Sequence, residues 1–159
     1  MTPVPSTLER ARQIVEPEIE AAVTSLCPEL IHPVRYHFGW EEVDGSPSLA
    51  KSGKGLRPAL AVLSAEAVGA PAATGALGAV AVELIHNFSL IHDDIIDGDT
   101  KRRHRATVWK AFSVDDAVIS GDALHTLAFQ VLLEEPSSEK KDEKVVDAEF
   151  EEVDENKKD

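Results

Sequence analysis

Asp93, Asp94, Asp97 and Asp99 are closely spaced, and Lys101, Arg102, Arg103 and Arg105 follow them directly. On a helix, Asp93 and Asp97 project from one face a turn apart, within reach of a shared hard cation. Magnesium takes one or two protein carboxylates and completes its shell with water and phosphate oxygens. An acid pair facing arginines therefore suits a phosphorylated ligand. Carboxylates grouped at a helix C-terminus repel one another and oppose the macrodipole, so a fold gains nothing from grouping them. The preceding run, LIHNFSLIH, is apolar and reads as buried, which separates this cluster from an ordinary solvated charge run. An EF-hand loop does not fit: counting from Asp93 or Asp94 puts isoleucine third, and counting from Asp97 puts Arg102 where glycine is required. A nucleic-acid footprint over KRRHR is opposed by the whole chain, whose 29 acidic and 16 basic residues leave a net charge of −13.

DDIID at 93–97, followed by Arg102 and Arg103, resembles the first aspartate-rich motif of the trans-isoprenyl diphosphate synthases, the polyprenyl synthetase family. GKGLRP at 53–58 resembles that family's GKxLRP segment, and ELIHNFSLIHDDI at 83–95 resembles the helix carrying the aspartates. The resemblance covers roughly Leu8 to Leu133, the amino-terminal part of a longer domain. It implies a Mg²⁺-dependent prenyl transferase with Asp93 and Asp97 as metal ligands, Asp94 as a supporting acid and Arg102 at the allylic diphosphate. Lys54, Arg57, His86 and Arg103 would hold isopentenyl diphosphate. Without it, Lys54 and Arg57 read as surface bases before a helix and His86 as a core histidine; His92 and His104 receive no role. Phe88 and Ser89 match positions that close the floor of the product tunnel, and one aromatic with a small neighbour points to a short-to-medium, twenty-carbon-like product. The alternative for Phe88 is simple core packing. Two departures stand out, since the family's arginine before LRP is Gly55 and the glycine after the arginine pair is His104. A terpene cyclase shares the aspartate motif but has no second diphosphate to occupy GKGLRP.

Helices must position these groups. Ser6, Thr7, Leu8 and Glu9 form a capping-box pattern opening a helix to about Ser25, with a kink or break expected at Pro17. A short helix is expected near Pro33–Trp40 and a Gly/Ser-rich loop over 44–55. Pro58 sits in the first turn of the next helix, which stops at Gly69. A central apolar helix is expected from about Ala72 to Asp97, and a last one from about Asp115 to Glu135. No run alternates with period two, so little or no strand is expected. The run from Pro71 to Val82 is too short to span a bilayer, and the histidines and aspartates after it argue against a membrane span. With Cys27 as its single cysteine and no signal-like start, the chain reads as cytoplasmic.

The fold class is therefore all-α: a partial isoprenoid-synthase helical bundle over 1–135, with a disordered acidic tail over 136–159. From Ser137 the tail has ten acids and five bases and few apolar residues. VVDAEFEEV within it resembles the carboxyl-terminal tail of DnaK-type chaperones. The family's second aspartate-rich motif is not present in the sequence, so weak or absent turnover is expected of this chain. A diphosphate- and Mg²⁺-binding half-domain, or a partner of a full-length subunit, is the competing reading. A homodimer is a family expectation only.

Overall fold

The computed structural model describes residues 6–48 and 55–133. Lys54, the expected disorder of 136–159 and the chaperone-like VVDAEFEEV lie outside them. The architecture is helical: α1 (Ser6–Thr24), α2 (Pro28–Phe38), α3 (Leu56–Ala67), a 3₁₀ turn at Ala72–Gly75, α4 (Ala76–Ile96), a two-stranded hairpin of β1 (Lys101–Arg102) and β2 (Arg105–Ala106), α5 (Val108–Ala111) and α6 (Val114–Leu133).

α1 runs unbroken through Pro17, contrary to the expected interruption. Its stripe Ala11, Val15, Ile19 and Val23 is almost wholly buried, at the i, i+4 spacing of a single face. Burial of Val15 and Ile19 alone is worth roughly 1.5–3 kcal/mol each, which offsets the ~3 kcal/mol penalty of an interior proline. Pro17 itself faces solvent, so water can satisfy the carbonyl it leaves without a partner. α2 starts at Pro28, earlier than expected, because proline in the first turn lacks only an N–H that would have no intrahelical partner anyway.

α4 is the axis of the bundle and packs against α1, α3 and α6. Ala79, Val80, Leu84 and Ile91 carry its buried side. The expected start at Ala72 is a 3₁₀ turn instead, and the regular helix begins after Gly75. A Cβ on Gly75 would stand 2.7 Å from the Ala61 carbonyl oxygen, so glycine lets this corner sit directly on the α3 backbone. Ala72–Ile96 is long and apolar enough to cross a membrane by length and composition, as the core helix of a helical bundle also is. α6 lies along α4 through Ala117, Leu124, Leu127, Ala128 and Val131. Gly121 admits the His92 ring, which a Cβ there would meet at 2.2 Å, and His92 Nε2 lies 3.1 Å from the Val118 carbonyl oxygen. His92 is thus a helix-to-helix packing residue.

Candidate functional site

The end of α4 separates the aspartates into two sets. Gly98, at φ +69, turns the chain into the left-handed region, and the N–H groups of Gly98 and Asp99 return to the carbonyls of Ile95 (3.3 Å) and Asp94 (2.9 Å). This crossed pair of bonds stops the helix just after Asp97. Asp93 and Asp97 lie on the exposed side of that last turn, and Asp94 is 2% exposed. Among the described residues no hydrogen bond or ion pair occupies the Asp93 or Asp97 carboxylate. The Asp94 carboxylate is held by Arg102, whose Nε and Nη2 lie 2.9 and 2.8 Å from Oδ1. The same pairing holds the Arg102 guanidinium even further above its ordinary pKa.

Among the described residues no group of three or more His, Cys, Asp or Glu could hold a metal ion. Mg²⁺ needs only one or two protein carboxylates when phosphate oxygens complete its shell. Asp93 and Asp97, one turn apart and not otherwise engaged, fit that requirement.

The basic residues are presented by the hairpin. Arg102 pairs with Arg105 across it, and the two turn residues, Arg103 and His104, have φ of 51° and 67°. A two-residue turn of this hand matches the twist of the strands but favours Asn and Gly, so Arg103 and His104 hold it under strain. Anchors outside the turn offset that strain. Thr107 Oγ1 and Trp109 Nε1 each donate to the Asp99 carbonyl at 2.8 Å, and the Tyr36 hydroxyl donates to the Ala106 carbonyl at 2.9 Å. Arg105 reaches the carbonyls of Tyr36 and Glu41 while its guanidinium lies 4.2 Å over the Tyr36 ring. The position where the resemblance wants glycine, His104, is thus one where the backbone favours it.

Arg57, from the first turn of α3, meets His86 of α4, with Nη1 3.2 Å from the imidazole Nε2. Partial burial, with Arg57 and Arg103 nearby, lowers the His86 pKa, so the ring accepts this bond in its neutral form. His37 of α2, which no motif marked, lies beside the same group. Its Nε2 donates to Asn87 Oδ1 at 3.1 Å, since the Asn87 amide nitrogen is committed to the Glu83 carbonyl oxygen at 2.8 Å and to its carboxylate at 3.2 Å. Desolvation first, then the charge of Arg103, pushes His37 down to about 3. His37, Asp94, Arg102, Arg103 and Arg105 line a cavity of about 190 Å³. A narrower cleft beside it, of about 40 Å³, is bordered by Arg12, Trp40, Gly55, Glu83, Asn87 and again Arg103. Arg103 stands between the two.

Below the aspartates, Ser89 Oγ bonds the His86 carbonyl at 2.9 Å. Phe88 reaches across to α6, with its ring 4.9 Å from His125 and 4.8 Å from His92, and His125 stacks edge-on to Phe129 at 5.1 Å. The structure therefore brings Arg57 to His86 and Arg102 to Asp94, and leaves Asp93 and Asp97 facing outward on one turn. His37, Asn87, Tyr36 and Arg105 were not found from the sequence; their roles arise from contacts 50 or more residues apart. Only the density of bases after Asp99 hinted at Arg105.

A family profile described as Polyprenyl synthetase matches residues 46–155. The match runs past residue 135, into the segment read above as a separate acidic tail. A (2E,6E)-farnesyl diphosphate synthase of Mycobacterium tuberculosis strain H37Rv is 44% identical over 124 residues, covering 78% of this chain and 34% of its own length. A geranylgeranyl diphosphate synthase of the same strain is 42% identical over 125 residues, covering 79% and 36%. Among solved structures, the crystal structure of a polyprenyl synthetase from Streptomyces coelicolor A3(2) superposes with a TM-score of 0.80 at 53% identity, over 83% of this chain and 39% of that one. The chain spans about a third of the length of the curated relatives it matches.

Proposed function

The chain belongs to the polyprenyl synthetase family of trans-prenyl transferases, and on that premise we propose that it carries the first-aspartate half of a site condensing isopentenyl diphosphate with an allylic diphosphate. The observation that carries the reading is the division of the aspartates: Asp93 and Asp97 are exposed and unengaged on one turn, while Asp94 is buried against Arg102. Asp93 and Asp97 would hold Mg²⁺ against the allylic diphosphate, and bound Mg²⁺ would supply Lewis-acid neutralisation of the leaving diphosphate. Arg102 keeps Nη1 outside its bonds to Asp94 and would offer it to the same diphosphate. Arg57, His86 and Arg103, with Lys54 three residues before Arg57 in sequence, would hold isopentenyl diphosphate. These groups fix charge and orientation. The allylic carbon–oxygen bond breaks as diphosphate leaves, the isopentenyl double bond attacks the resulting cation, and loss of a proton gives a chain five carbons longer.

Phe88 and Ser89 would close the floor of the product channel, and a single aromatic there favours a twenty-carbon product. The two Mycobacterium tuberculosis relatives are a farnesyl and a geranylgeranyl diphosphate synthase, both within the short-to-medium range. A second reading is that the chain binds Mg²⁺-diphosphate, or pairs with a full-length subunit, without turnover of its own. Mg²⁺-dependent incorporation of labelled isopentenyl diphosphate, with dimethylallyl, geranyl and farnesyl diphosphates offered in turn, separates the two. Incorporation by the chain alone that disappears in Asp93→Ala supports the transferase; incorporation only with stoichiometric full-length partner supports the second reading.

A further inference from the structure

The register of the hairpin sets two like charges opposite one another, Arg102 of β1 and Arg105 of β2. Such a pair destabilises a ladder, and two residues per strand make a ladder too short to hold a position by itself. The place of the hairpin is therefore set by what its side chains grip. Arg102 grips Asp94 at the end of α4, and Arg105 turns the other way, toward the end of α2.

There the Arg105 guanidinium is held on three sides. Nη1 donates to the Tyr36 carbonyl, in the last turn of α2, at 3.1 Å; Nη2 donates to the Glu41 carbonyl at 2.5 Å and to the Glu42 carboxylate at 3.2 Å. Carbonyls at a helix C-terminus favour a cation. The plane of the group lies 4.2 Å over the Tyr36 ring, which Phe112 backs edge-on at 5.3 Å and which is 5% exposed. Tyr36 completes the clamp by donating its hydroxyl to the carbonyl of Ala106, the next residue of β2. A lysine here would carry the charge but neither the fork across two carbonyls nor the stack.

The clamp bears on Arg102 through the ladder. Asp94 takes Nε and Nη2 of Arg102, so the direction of the remaining Nη1 follows from where the β1 backbone lies, and β1 pairs with β2. Arg102, Asp94 and Arg105 line one cavity. A shift of β2 changes the wall from which Nη1 is offered.

We infer that Arg105 is a positioning residue: it fixes the hairpin on the end of α2 so that Arg102 Nη1 is held for the allylic diphosphate, and does not touch that diphosphate itself. This rests on the proposed reading of Arg102. Titration calorimetry of the full chain with geranyl diphosphate and Mg²⁺ tests it, each variant being titrated below its melting transition so that lost stability does not enter. Arg105→Lys weakens binding about tenfold, as does Arg102→Lys, which keeps a charge against Asp94 but loses the fork. Tyr36→Phe, which keeps the ring under Arg105 and loses only the bond to Ala106, weakens it by less. The double variant Arg102→Lys, Arg105→Lys binds little worse than either single one, because Arg105 acts through Arg102. Full affinity in Arg105→Lys with a loss in Arg102→Lys overturns the inference, since charge without the clamp then suffices, and leaves the reading of Arg102 intact. Losses that multiply in the double variant overturn it too, because Arg105 then acts on the ligand independently. Unchanged affinity in Arg102→Lys, or no binding by the unaltered chain, removes both.

Discussion

Asp93 and Asp94 are neighbours in sequence with opposite duties in the fold, and the difference is measurable. Asp94 is buried and holds Arg102 by two short bonds. Asp94→Ala should lower stability by about 2–3 kcal/mol, less than the roughly 3–5 of breaking a fully buried pair, because Arg102 retains contact with water. Asp93→Ala should change stability by no more than about 0.5 kcal/mol, as exposed positions do, while abolishing Mg²⁺-dependent binding of an allylic diphosphate. Chemical denaturation of the two variants side by side checks the contrast. His37 makes a separate prediction. Its folded pKa, about 3, lies below its ordinary 6.5, so between those values the unfolded chain binds a proton that the folded chain refuses. The His37 contribution is fully present above about pH 6.5 and is lost as pH falls toward 3. His37→Gln should flatten the fall in melting temperature across that window; an identical fall in both proteins would show that His37 does not carry it.

At the scale of elements, the hairpin concentrates what the sequence could not show. DDIID, the arginine pair and GKGLRP are local patterns, legible because each is a short run of residue types at fixed spacing. The turn at Arg103–His104 is a backbone conformation imposed by Tyr36, Arg105, Thr107 and Trp109, and nothing in KRRHR announces left-handed φ. The same limit explains the corrected elements. Pro17 is tolerated because of where Val15 and Ile19 are buried, and Ala72–Gly75 departs from the helix because of how closely Gly75 meets α3. Replacing the strained residue offers a test: His104→Gly should stabilise the fold by about 1 kcal/mol, since glycine adopts positive φ without a Cβ penalty. A thermal melt that shows no gain would mean that the anchoring contacts, not the turn, set the energy of this segment.

For the molecule as a whole, the family and the helical class were legible from three ordered motifs, whereas the packing of α6 was not. Beyond its buried side, α6 carries Val118, Ile119, Phe129, Leu132 and Leu133 exposed, Phe129 at 53% and Leu133 at 81%. Exposed apolar side chains of this kind bind hydrophobic dyes and promote association. The chain should therefore bind anilinonaphthalene sulfonate in its folded state, and Phe129→Ser with Leu132→Ser should remove most of that signal at unchanged helicity; a signal that persists would place the dye elsewhere. The central claim is that the α4 end and the hairpin together form a Mg²⁺-dependent diphosphate site. Its most direct test is calorimetric titration of the purified chain with geranyl diphosphate, with and without Mg²⁺, alongside the double variant Asp93→Ala, Asp97→Ala. The account predicts saturable binding that needs Mg²⁺ and is lost in the double variant while its melting temperature is kept. Equal binding without Mg²⁺, or in the double variant, would contradict it.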